Sequence, residues 1–157
     1  MPNAERRMPK DKGSFSAFGI WHSAFFLVLV SALAAQTTTK SVWDGVYTDA
    51  QAKRGFTVYH QHCASCHGPL LEGGETAGPL VGPVFLSNWN GVSVGDMFDR
   101  TRISMPQDKP GTISRQNMAD VLAFVFSENK MPAGKTELAR QSEMLKQIKF
   151  EAVKPRK

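Results

Sequence analysis

HQHCASCHGPL, residues 60–70, holds both cysteines and three of the four histidines of this 157-residue chain. Two thiols and an imidazole this close can bind zinc, exchange a disulfide or anchor a porphyrin, and each chemistry expects different surroundings. Upstream, YTDAQAKRGFTVYHQHC (47–63) reads as a helix. Thr48 and Gln51 stand at capping-box spacing, and good helix formers follow. Gly55, Tyr59 and Cys63 are four apart and share one face, where a glycine lets a second helix approach closely. Downstream, glycine and proline dominate 68–82, which predicts a loop wrapped around something rather than regular structure.

These surroundings separate the chemistries. A closed zinc site takes four ligands, yet there is no second cysteine pair, and His60 and His62 are the only reserves. A redox dithiol expects a βαβ setting, whereas this chain reads as nearly all helical. A structural disulfide across one helical turn is strained and closes little chain. The favoured reading is a C-x-x-C-H motif, Cys63, Cys66 and His67, that attaches one haem c covalently. Two intervening residues let both sulfurs reach the vinyl groups of one porphyrin from a single turn. The adjacent histidine then lies under the iron as proximal ligand. His60 and His62 are read as exposed bystanders on the helix end.

The rest of the chain supplies the remaining parts. SVGDMFDRTRI (93–103) is a second helix, with Val94, Met97 and Phe98 inward. Ser114 caps a third, RQNMADVLAFVFSEN (115–129), in which Met118, Val121, Leu122 and Val125 repeat at i, i+3, i+4 and i+7. Pro132 and Gly134 stop it, and the tail beyond Thr136 holds a short helix around 143–148. A methionine in the distal position favours reduced iron and raises the potential. Met118 and Met97 read as core, Met144 lies in the polar tail, and Met131 would need the chain to fold back again. Met105 sits in a loop between two helices, RISMPQDKPGT, where Pro106 restrains the backbone. It is the expected distal ligand.

The amino terminus reads as an export signal. A basic stretch reaches Lys12, an apolar run covers 18–35, and Ala32-Leu33-Ala34 supplies the small-residue pattern for cleavage. The alternative is an uncleaved membrane anchor, because the run nearly reaches bilayer-spanning length. Composition is globular, with 41% apolar and 21% charged residues. The formal charge is +5, and removing the first 35 residues would leave about +3. The remaining basic residues are scattered apart from the last few, a pattern of solubility and not of nucleic-acid binding.

Taken together, C-x-x-C-H near the start, a Met-Pro loop and a capped amphipathic helix after it resemble a class I monohaem cytochrome c. GPLLEGGETAGPLVGPVFLSNWNG, RISMPQDKPGTIS and MADVLAF resemble more closely the small cytochromes that accompany quinoprotein (PQQ-dependent) alcohol dehydrogenases. The resemblance covers about 46–148. It implies an all-α cytochrome c fold, three to five short helices around one covalently bound haem c. The expected organisation is a signal peptide or anchor over 1–35, a linker over 36–45, the haem domain over 46–135 and a tail over 136–157.

By position, the resemblance places Gly55 and Tyr59 across the last helix near Leu122 and Phe126. It gives Pro79 and Leu80 the proximal haem wall, with the Pro79 carbonyl accepting from His67 Nδ1 and strengthening the imidazole as a donor. The loop at 78–82 is one residue shorter than the usual G-P-x-L-x-G pattern, which leaves that carbonyl open. Asn88, Trp89 and Arg102 fall at the haem edge, where an indole N–H and a guanidinium meet propionates. The implied role is a periplasmic carrier of single electrons from a quinoprotein dehydrogenase towards the respiratory chain. The expected partners are that dehydrogenase, a terminal oxidase or another cytochrome, with no nucleic acid, and a membrane only if the anchor persists. A six-coordinate iron leaves no place for substrate, so the chain itself is not expected to be an enzyme. The rival reading is a haem enzyme or gas sensor with an open distal site.

Overall fold

The structure, a computed structural model, describes residues 40–156; the expected signal segment at 1–35 lies outside the described residues. Within them the chain is mostly helical, in the manner of a cytochrome c fold. Six helices follow in order: α1 Asp49–His62, α2 Ala64–His67, α3 Gly82–Trp89, α4 Val94–Ser104, α5 Arg115–Glu128 and α6 Ser142–Leu145. Three of the long ones start where the sequence offers a hydroxyl to the orphan N–H groups of a first turn. Thr48 accepts from the Gln51 N–H at 3.1 Å, Ser93 from Asp96 at 3.0 Å and Ser114 from Asn117 at 3.1 Å. The expected capping box at Thr48 forms only by half. The Gln51 side chain is fully buried and instead clips residue 138, donating to the Leu138 carbonyl at 3.0 Å and accepting its N–H at 2.6 Å.

α3 begins at the end of the glycine- and proline-rich stretch 68–82, in a segment for which no helix was expected. Pro83 stands within its first turn, where a missing N–H costs nothing, and Phe85 anchors the helix in the core.

The central contact is the crossing of α1 over α5. Gly55 makes it possible, because a Cβ there would lie 1.8 Å from the Asp120 carbonyl oxygen and 2.9 Å from Phe124 Cβ. The crossing thus meets Asp120 and Phe124, not Leu122 and Phe126 as the resemblance implied. Tyr59 lies one turn further along, its ring centroid 5.4 Å from that of Phe124. α5 is also more than an amphipathic helix. Every residue from Met118 through Phe126 is buried, Asp120 included, since α1 covers one side and the rest of the core the other. A buried carboxylate is tolerable only when paired. Asp120 accepts two bonds from Arg54, at 3.0 and 3.1 Å, and one from Gln116 at 2.9 Å. Bonds to Asp120 and then Glu137 raise the Arg54 pKa, so its guanidinium stays charged.

The segment after Thr136 is packed into this core. Leu138, Leu145, Ile148 and Phe150 are all buried, and Phe150 lies edge-on to Phe85 with centroids 5.9 Å apart. Gly95 lets α6 close on α4, since a Cβ there would meet the Lys146 N and Ser142 O at 2.7 Å. The Ser142 hydroxyl donates to Asp99 across the same contact. Two short strands, β1 (Lys40–Ser41) and β2 (Ile148–Lys149), pair in parallel and join the two ends of the described chain. Pairs of two residues carry no readable periodicity, so this sheet was not legible beforehand. Among the described residues no helix is long and apolar enough to cross a membrane.

Candidate functional site

α1 delivers the cysteine turn. Cys63 caps its C-terminus, donating its N–H to the Tyr59 carbonyl at 2.8 Å. The chain then winds directly into α2, with Cys66 and His67 both donating to the Cys63 carbonyl at 3.1 and 3.0 Å. Both thiols and the imidazole therefore sit on one turn. Cys63 is half-buried against the core, Cys66 is exposed, and neither is in a disulfide. Burial, and then the neighbouring Cys66, push the Cys63 thiol up to about 11. It is a neutral thiol at physiological pH, unlike the low-pKa thiolates that perform disulfide exchange.

His67 Nδ1 lies 2.9 Å from the Gly78 carbonyl oxygen. A carbonyl can only accept, so Nδ1 carries the proton and Nε2 presents a free lone pair. The resemblance implied Pro79 for this carbonyl and the short loop left it open; the partner is one residue earlier. The arc between them is built tightly. The His67 carbonyl accepts from Gly73 at 2.8 Å, and Leu80 donates to Leu71 at 2.8 Å. Leu71 is buried at φ +60°, a conformation that side-chain-bearing residues adopt reluctantly.

Two side chains grip the ends of this arc, and neither role was read from the sequence. The Tyr59 hydroxyl donates to the Gly68 carbonyl at 2.6 Å. Asn129, buried just past α5, accepts the Gly82 N–H at 3.2 Å and donates to the Leu80 and Val125 carbonyls at 2.9 and 2.8 Å. The helical pattern places both residues, but it cannot reveal which loop groups their side chains meet, 9 residues away for Tyr59 and 47 and 49 residues away for Asn129.

The other expected residues fall as follows. Pro79 and Leu80 are half-buried, Leu80 packing on the core. Asn88 is exposed. Trp89 is half-buried with the Arg100 guanidinium 5.4 Å from its ring centre, a cation–π contact in addition to any role for its N–H. Arg102 is half-buried on α4, and its Nε is enclosed without a hydrogen-bond partner among the described residues. Of the later methionines, Met97, Met118 and Met131 belong to the core and Met144 is 58% exposed. Met105 is half-buried immediately after α4, its N–H bonded to the Thr101 carbonyl at 2.8 Å. His60 is exposed and lies against Phe56, the rings tilted with centroids 4.3 Å apart.

A helical shell that holds a C-x-x-C-H turn with an oriented imidazole is consistent with a cytochrome c fold. Residues 50–125 match the family model described as "Cytochrome C oxidase, cbb3-type, subunit III", from the first turn of α1 to the last turn of α5. No curated protein matches the chain. Among solved structures, it is similar to a chain of "Crystal Structure of the Sulfane Dehydrogenase SoxCD from Paracoccus pantotrophus", at 20% identity and a TM-score of 0.46. That similarity covers 69% of this chain and 61% of the other, so the chain spans about three fifths of that chain's length. A cytochrome c domain implies covalently bound haem c and electron transfer. The residues present fit that group: two unpaired thiols on one turn, an imidazole with a free Nε2, and an enclosed guanidinium nitrogen that lacks an acceptor.

Proposed function

We propose that the chain is an exported monohaem c-type cytochrome that carries single electrons in the periplasm, from a quinoprotein dehydrogenase towards the respiratory chain. The observation that carries the redox part is the His67–Gly78 bond beside two free thiols. It fixes the tautomer a metal ligand needs before any metal is present. The dehydrogenase partner rests on the resemblance of the sequence around residues 68–91 and 102–114. An oxidase complex is the alternative partner that the matched family's description suggests.

In this reading Cys63 and Cys66 would hold one haem through thioethers, and His67 Nε2 and the Met105 thioether would be its iron ligands. When bound, the haem supplies the one-electron Fe(III)/Fe(II) couple. The chain's own residues do the rest. The Gly78 carbonyl orients the imidazole and strengthens it as a donor. Pro79 and Leu80 wall the proximal side against water. Arg102 Nε meets a propionate carboxylate, an acceptor that would complete its hydrogen bonding. Trp89 lies at the edge under Arg100.

The visible spectrum of the purified ferric protein tests this. A weak band at the red end from sulfur ligation is expected, and it should vanish in Met105→Ala with the iron turning high-spin. High-spin wild-type iron that binds carbon monoxide readily, with an unchanged spectrum in Met105→Ala, would instead establish the open-site enzyme or sensor.

A further inference from the structure

The packing role of Tyr59 needs no oxygen. Its ring is fully buried against Phe124, and a phenylalanine would fill the same space. The hydroxyl nevertheless makes a 2.6 Å bond to the Gly68 carbonyl. A buried phenol usually finds some partner; here the partner is the residue that follows His67.

Gly68 is a sensitive place to hold. It adopts φ +80° and ψ 149°, and a Cβ there would lie 2.4 Å from the Glu72 carboxyl group. Its peptide sets the direction in which the chain leaves His67 and enters the arc that returns to Gly78. The His67 backbone is held by Gly73 and its ring by Gly78, at 2.8 and 2.9 Å. Both of those partners belong to the arc itself. Tyr59 is the link from this arc to α1, the helix locked against α5 at Gly55.

We infer that the Tyr59 hydroxyl is a positioning group for the axial histidine, holding Gly68 so that the His67–Gly78 bond keeps its geometry. The inference rests on the reading of His67 as the proximal ligand. Tyr59 acts through Gly68 and touches no reacting atom. Its removal would loosen the arc, lengthen the hydrogen bond from Nδ1–H to the Gly78 carbonyl and weaken the imidazole as a donor, which disfavours Fe(III).

The test compares holoproteins of wild type, Tyr59→Phe and Phe124→Leu. Tyr59→Phe keeps the ring and should shift the Fe(III)/Fe(II) equilibrium about threefold towards Fe(II), roughly 28 mV upward for one electron. The paramagnetically shifted proton signals of the His67 ring should move with it. Phe124→Leu loosens the same packing but leaves the hydroxyl, and should lower stability without moving the potential. A Tyr59→Phe protein with wild-type potential and wild-type His67 signals overturns the proposal, as does an equal shift in Phe124→Leu. Failure of the underlying reading looks different: wild type itself would then lack a c-type haem spectrum.

Discussion

Replacing Gly55 by alanine sets two magnitudes against each other. Gly55 lies inside α1, and alanine is favoured over glycine in a helix interior by about 1 kcal/mol. Considered alone, α1 should gain. The structure reverses the sign. The new Cβ would be 1.8 Å from the Asp120 carbonyl oxygen, where contacts under 3.0 Å are essentially never found. The obstacle is backbone, which cannot rotate aside, so α1 and α5 must part by about 1.2 Å, the difference between those two distances. Forcing an extra methyl into a packed core typically costs about 1–3 kcal/mol. The same displacement stretches the 3.0 and 3.1 Å bonds from Arg54 to the buried Asp120, and a hydrogen bond to a charged group contributes about 1.5–3 kcal/mol. With the helix gain subtracted, Gly55→Ala should destabilise the protein by about 2–4 kcal/mol. For a domain of this size that lowers Tm by roughly 8 °C or more. Urea and thermal unfolding of the holoprotein, followed by circular dichroism, give both quantities. A variant as stable as wild type, or more so, would refute the argument that this crossing leaves no room.

Asn129→Ala should leave the Gly82 N–H and the Leu80 carbonyl without their side-chain partners, at about 2–3 kcal/mol. Amide exchange at Gly82 should accelerate beyond the change seen in α5, and unchanged protection there would count against the clamp. For Tyr47, burial first, then Asp49 and Glu128, raise the hydroxyl pKa from 10.0 to about 12. A raised acid pKa means stabilisation that is complete below pH 10 and lost as pH climbs to about 12. Unfolding free energies across that interval should fall less steeply in Tyr47→Phe than in wild type, and parallel curves would contradict the assignment.

Much of the helical framework was legible because its signals are local. Thr48 and Ser114 announce two helix starts, and the spacing of Gly55, Tyr59 and Cys63 announces a shared face. Other features were hidden for definite reasons. Gln51 looks like a capping partner of Thr48 until Leu138 is brought to it from 87 residues away. The stripe of Met118, Val121, Leu122 and Val125 marks one apolar face of α5, but it cannot show that α1 also covers Asp120, which pairs there with Arg54. The tail past Thr136 looks polar, yet four apolar side chains, at 138, 145, 148 and 150, are enough to seat it in the core.

What the sequence determined by itself was the chemistry on offer. Cys63, Cys66 and His67 lie within five residues of one another, so their proximity follows from covalent connectivity and helical geometry alone. The partners of that turn were decided by tertiary structure. The Gly78 carbonyl instead of Pro79, the Tyr59 hydroxyl on Gly68 and the Asn129 grip on Leu80 and Gly82 all cross between chain segments. Each is a single directional bond of a few ångströms, and its geometry depends on where α1 and α5 set the ends of the arc. Residue pattern specifies which groups are available, whereas the packing of two helices at Gly55 selects which of them meet.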